Sequence, residues 1–314
     1  MNKNNIKKVS LYLLAVLLSG FASFSAAQEI ALAFDKTLSR STALDGMARA
    51  KMLVHSLARV NVHQSMFLIH TKDITDNTVE RLMFYDDSGQ LLVNAGAHYS
   101  LYSRTDSYNF ARDILTANAM LSPYLNYRQH IYFPYLYEGG DQLALQQVKD
   151  FLAEYGYQPA YTTYQAKDNY LNKLYQTRIA SNRPVDIVRL EKVYVKMIIT
   201  DLVAYNAKAQ MLLGYIPRQI ILLHENDLAA YCIIGLVDAL NEKGFKIVAP
   251  EKILSDPVVN PYLVGGYSTV HYMQSMTGMP DPRRENLHVL SDIERQKIHG
   301  YLTEQGLGDL IPAN

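Results

Sequence analysis

The chain has 314 residues, of which 49% are hydrophobic and 19% charged, which excludes a disordered chain and allows one large α/β domain or two small ones. Lys plus Arg equals Asp plus Glu, at 30 each, so no charge imbalance argues for nucleic acid or an anionic membrane as a partner.

The first 27 residues stand apart. Lys3, Lys7 and Lys8 make a basic start, an apolar run follows from Leu11 to Leu18, and small residues end the segment at Ser25-Ala26-Ala27. This three-part pattern predicts a secretory signal peptide over residues 1–27, cut after Ala27, because the peptidase requires small side chains at the −1 and −3 positions. The apolar run is short for a bilayer span, so no stable membrane span is expected after cleavage. Cys232 is the one cysteine, in an apolar helical pattern with Leu228, Tyr231, Gly235 and Leu236, and reads as core. Export without disulfides fits a periplasmic or secreted protein.

In chain order, short apolar runs alternate with helical periodicity. Strands are predicted at Ile30–Phe34, Ser65–Ile69, Leu91–Asn94, Ile131–Phe133, Ala160–Tyr164, Ile220–Leu223 and Lys246–Val248. A helix over Ala43–Val60 puts Met47, Ala50, Val54 and Leu57 on one stripe, with Asp45, Arg49 and Arg59 facing away. Further helices are expected over Leu143–Tyr155, Asp186–Leu213 and Leu228–Lys243, and Ser291 with Glu294 reads as a capping box. Glu225, Asn226 and Asp227 open the Leu228 helix, with Asp227 as the expected N-cap. The alternation argues for a parallel barrel or sheet, in which working residues sit where strands end. Asp35, His70, Asn94 with His98, and His224 occupy such positions.

Three segments carry a family resemblance. Ile30-Ala-Leu-Ala-Phe-Asp35 resembles the first motif of the polysaccharide deacetylases, a strand running into Phe-Asp-Asp. Tyr132-Phe-Pro-Tyr-Leu-Tyr-Glu-Gly139 resembles the family's Arg-Phe-Pro-Tyr-Leu-His-Glu-Gly. Ile221-Leu-Leu-His-Glu-Asn-Asp-Leu228 resembles its last motif, with a His after an apolar strand. The resemblance implies an α/β fold, a deformed (β/α) barrel over residues 28–260, with 261–314 as a C-terminal extension packed on it. It implies removal of acetyl groups from glycans, with Asp35 as general base, His224 as general acid, and a divalent metal, often zinc, held by a second Asp and two His.

The departures fall on the metal site and on the residues around the base. Lys36 replaces the metal-binding Asp, and a protonated ammonium has no lone pair to give. Without gaps His98 matches the first His of the pair and the second falls at Tyr102; with a gap, His98 is the second and Asn94 the first. Two of the three ligands are thus replaced, and His98 is the one metal ligand retained. Tyr132 stands for the Arg that supports the base, and Asp168 is retained from a later acidic segment. Lys36, Asn94, Tyr102, Tyr132, Tyr135, Glu138 and Asp168 are the expected pocket residues. Lys36 is expected to pair with Asp35 and take over the metal's electrostatic role. His70 matches no family ligand and reads as structural. No cofactor is expected, or zinc or another divalent metal if the site is rebuilt.

The leading expectation is an exported deacetylase-like protein with impaired metal-dependent deacetylation, binding an acetylated glycan or an envelope component. The alternatives are an active hydrolase with a remodelled site, and a scaffold for partners.

Overall fold

In this computed structural model the described residues are 27–97, 107–132, 142–256 and 290–312. The first half runs β1 (Gln28–Asp35), α1 (Gly46–Arg59), β2 (Met66–Ile69), α2 (Val79–Asp87), β3 (Leu91–Asn94), α3 (Ser107–Leu121), β4 (Tyr127–Tyr132) and α4 (Gln142–Tyr155). The second half runs β5 (Gln158–Ala160), β6 (Tyr164–Gln165), α5 (Asp168–Ala180), α6 (Ile187–Leu213), β7 (Gln219–His224), α7 (Asp227–Glu242), β8 (Phe245–Ile247), α8 (Pro250–Leu254) and α9 (Asp292–Glu304).

The strand pairings among the described residues are parallel, in the order β5-β4-β3-β2-β1-β7-β6, with β8 added on β1. The sheet curls into a half-barrel with helices outside. The curl shows in one connection: β5 pairs at one edge and β6 at the other, yet only residues 161–163 lie between them. The four residue steps from Ala160 to Tyr164 span at most about 14 Å, so the two edges approach each other. The predicted single strand Ala160–Tyr164 is in fact this crossing of the seam. At the β6 end of the crossing Thr163 is tied to β7, accepting at Oγ1 from Ile220 N–H at 3.0 Å.

Period-two alternation gives the sheet two apolar faces. Ile30, Leu32, Phe34, Phe67, Ile69, Leu92, Ile221 and Leu223 pack outward with the helices. Ala31, Ala33, Met66, Leu68, Val93, Ile220 and Leu222 pack inward with Tyr132 and Ala160, joined by Ile253 and Leu254 of α8. The small Ala31 and Ala33 fit the narrow interior of a curled sheet. Cys232 is buried in the outer layer, as its pattern predicts.

α1, α4, α6 and α7 lie within a few residues of their predicted ranges. α2, α3 and α5 lie outside every predicted range. α5 carries polar residues at most positions of its short run, so no apolar stripe announces it. The capping box at Ser291 is present, with Ser291 N–H and Oγ both bonded to Glu294. Beyond it Ile298, Leu302, Leu307 and Leu310 join the outer core layer. The predicted signal peptide lies outside the described residues but for Ala27. No helix of the described residues is long and apolar enough to cross a membrane.

Candidate functional site

Asp35 ends β1 and His224 ends β7, and the two are register partners in adjacent parallel strands. Both follow the parity of the inward residues, Ala31 and Ala33 on one strand and Ile220 and Leu222 on the other, so both face the barrel interior. His70, just after β2, shares the parity of Met66 and Leu68 and comes to the same place. Its Nε2 lies 3.3 Å from Asp35 Oδ1. The chain turns sharply here: Lys36 takes a left-handed φ of 56°, and its N–H donates to Asp35 Oδ1 at 2.6 Å. Glu225 N–H donates to Asp35 O at 2.8 Å, fixing the strand end.

Burial opposes the charge on Asp35, but the His70 bond and the positive charges around it prevail and hold its pKa down at about 2. The partner expected from sequence is corrected. Among the described residues the ion pair of Asp35 is with His70, not with the Lys36 ammonium. Lys36 meets Asp35 through its backbone N–H. Its charge opposes the charged form of His224 without prevailing.

Behind His224 stands Asp168, the first residue of α5 and fully buried. Its Oδ1 lies 2.7 Å from His224 Nδ1, while Oδ2 accepts from His224 N–H and Asn226 Nδ2, both at 3.0 Å. Burial disfavours the imidazolium, yet the adjacent carboxylate outweighs it, and the His224 pKa is raised. Asp168 thus holds the ring by Nδ1 and leaves Nε2 for other work.

The other expected pocket residues divide. Tyr132 is buried on the inner face. Asn94 is also buried, but it shares the parity of Leu92 and faces outward. Its Nδ2 donates to Ile114 O at 3.0 Å and its Oδ1 accepts from Gly96 N–H at 2.8 Å. Strand alternation therefore separates it from Asp35 and His224, against its expected place in the pocket. Tyr102, Tyr135, Glu138 and His98 lie outside the described residues.

Two further readings are corrected. Arg49 does not face solvent: it is 1% exposed, and its Nε and Nη2 donate to Glu225 Oε1 and Oε2 at 2.8 and 3.0 Å. A fork matched to a carboxylate explains why so polar a side chain is buried beneath α1. The N-cap of α7 is Asn226, accepting from Ala229 N–H at 2.9 Å, while Asp227 accepts from Thr42 Oγ1 at 2.7 Å and ties the β1–α1 loop to α7. Glu225 and Asp227 thus hold loops, beyond opening a helix.

Among the described residues no three or more His, Cys, Asp or Glu side chains are grouped to hold a metal ion. Asp35 Oδ1 is already committed to His70 and to the Lys36 amide, and Lys36 brings a positive charge to the position of an expected ligand. The described residues do not fit a divalent metal. What they provide is an ionised carboxylate beside a carboxylate-held histidine, an arrangement able to exchange protons with a bound molecule.

No protein-family model matches the chain, and no curated protein matches it. Among solved structures, the chain is similar to a CE4 family pseudoenzyme from Bacillus anthracis, with a TM-score of 0.50 and 12% identity over 73% of this chain and 66% of that one. The match thus spans just under two thirds of the pseudoenzyme. A mutant of that protein with restored enzymatic activity matches with the same TM-score and identity, over 73% of this chain and 68% of that one. A family 4 carbohydrate esterase from Streptomyces lividans, in complex with acetate, matches with a TM-score of 0.45 and 13% identity over 72% of this chain and 95% of that one. At these identities the likeness is one of fold: the chain has the curled (β/α) barrel of the CE4 carbohydrate esterases.

Proposed function

We propose that this chain is an exported, deacetylase-like protein that binds an acetylated glycan, or an envelope component carrying one, and in which metal-dependent deacetylation is impaired. The observation that carries this is the engagement of Asp35 by His70 and by the Lys36 amide. A general base works best with a pKa near the working pH. Asp35, at about 2, is held as a poor proton acceptor. The CE4 pseudoenzyme and its reactivated mutant support the reading that this fold exists with and without activity.

A second reading is favoured by the complete Asp168–His224 pair. The Asp168 carboxylate favours the charged form of His224, the form suited to protonate a leaving group, so slow hydrolysis of a reactive ester remains within the site's chemistry. In this reading a water activated at Asp35 attacks the ester carbonyl, and Lys36 stabilises the oxyanion.

Zinc titration calorimetry on the mature protein, beside a Lys36→Asp, Tyr102→His variant, tests the first reading. Binding only by the variant is the expected result, and tight zinc binding by the natural protein overturns it. Acetate release from an acetylated oligosaccharide, with and without chelator, tests the second. Release abolished by His224→Ala but untouched by chelator supports it; release lost to chelator, or unchanged in the variant, removes it.

A further inference from the structure

The predicted cut after Ala27 makes Gln28 the first residue of the mature chain, and Gln28 is also the first residue of β1. The strand is held from that residue onward. Gln28 is the register partner of Phe245 in β8. Glu29, next to it, pairs with Arg218 Nε at 3.0 Å and with the Lys252 ammonium. The Gln28 side chain is half-buried and reaches across to α6 and to the loop before β7.

Its amide is engaged at both ends. Asn206 Nδ2 donates to Gln28 Oε1 at 2.7 Å. Gln28 Nε2 donates to Pro217 O at 3.2 Å, with Asn206 Oδ1 3.5 Å away. A carbonyl oxygen only accepts, so Pro217 O fixes which end of the amide carries the nitrogen. Asn206 is itself buried, and Gln219 Nε2 donates to its Oδ1. This amide cluster sits at the opposite end of β1 from Asp35 and takes no part in the candidate site.

A glutamine at a chain's N-terminus can react with its own α-amine. The uncharged amine attacks the side-chain Cδ, a new C–N bond forms, the Cδ–Nε2 bond breaks, and ammonia leaves with a proton taken from the amine. A five-membered lactam results, and the chain end loses its charge. The step needs Cδ within about 3–3.5 Å of the chain's own nitrogen, with the side chain bent back over it. The bonds to Asn206 and Pro217 hold the amide out towards residues 178 and 189 positions away instead. We propose that Gln28 is an N-terminal cyclisation site that the fold keeps from reacting, with Asn206 as the residue that restrains its amide. The proposal goes beyond glycan binding and rests only on the cut after Ala27 in the exported-protein reading. Cyclisation also removes the donor to Pro217 O, so it follows local opening of the strand end and marks chains that have opened.

The test is mass spectrometry of the N-terminal fragment, on mature protein recovered after export and incubated at about pH 8, where about half of the α-amine is uncharged. Loss of ammonia is followed over time against a synthetic peptide of residues 28–34. The expected result is that the folded protein cyclises at least about tenfold more slowly than the peptide, the factor that a local opening cost of about 1.4 kcal/mol imposes. Asn206→Ala, shown to be folded by its thermal midpoint, should cyclise about fivefold faster than the natural protein, the factor carried by one lost hydrogen bond of about 1 kcal/mol. Urea above the unfolding midpoint should bring the natural protein to the peptide's rate without any substitution. A folded natural protein as fast as the peptide overturns the proposal. So does a folded Asn206→Ala as slow as the natural protein, or a natural protein still slow in urea. In each of these cases a fragment that begins at Gln28 leaves the export reading standing. A recovered chain that begins elsewhere removes the proposal, and one that retains residues 1–27 counts against the export reading as well.

Discussion

At the scale of single residues, the site is two carboxylate–histidine pairs whose pKa shifts have opposite consequences. Asp35, held at about 2, lies below the usual carboxylate value of about 3.9. Its contribution to stability is present above about pH 4 and is lost as the pH falls towards 2, worth roughly 2 kcal/mol when complete. His224 is raised, so its contribution is complete below an unfolded pKa of about 6.5 and is lost as the pH rises through the higher folded value. Thermal unfolding followed across pH separates the two. His70→Asn should lower the midpoint most above pH 4, and the gap to the natural protein should close as the pH falls to 2. Asp168→Asn should lower it most in acid, on top of a pH-independent loss of its other bonds, with the gap narrowing as the pH rises. Gaps that do not vary with pH would show that neither histidine senses its carboxylate.

At the scale of elements, β1 and β7 carry Asp35 and His224 of the candidate site, and the loops after them hold the two strand ends in place. Arg49 on α1 binds the Glu225 carboxylate in two-pronged fashion just beyond β7. Burial pushes the Glu225 pKa up, against the pull of that fork. Removing one partner leaves a buried charge alone, so Arg49→Met should cost about 3–5 kcal/mol in urea unfolding. Adding Glu225→Gln should return much of that loss, because the uncompensated charge goes with it. A double variant no better than the single would mean that Arg49 serves by packing alone. The pair also explains why Arg49 was misjudged from its position on the helix. Periodicity places a residue on a face, but a partner nearly 180 residues away decides whether a charge on that face is buried.

At the scale of the whole molecule, the barrel is completed from distant parts of the chain. Residues 161–163 carry it across the seam, and α9 closes the outer layer against α6 from near the C-terminus. Leu302, fully buried in that layer, should cost about 2–5 kcal/mol when cut to Ala, with the denaturant slope unchanged if α9 unfolds with the barrel. A normal midpoint for Leu302→Ala, or for a chain ending at residue 289, would show that α9 adds nothing to the fold.

The sequence by itself determined the fold class and marked the strand ends at which Asp35 and His224 come together. The apolar runs of β1, β2, β3 and β7 were legible because strands covered on both faces must be apolar throughout. Asp35 and His224 were legible because they end such runs in matching motifs, and Asp168 because it belongs to a retained acidic segment. The tertiary structure decided the rest. His70 became the partner of Asp35 because β2 pairs with β1 and shares its inward parity, a relation that no local pattern contains. Asn94, one strand further on, was turned outward by the same alternation. Lys36 meets Asp35 through its amide, not its ammonium, a contact that residue type alone does not announce. In each case the deciding force is a pairing or a hydrogen bond between distant segments, which exists only once the sheet has curled.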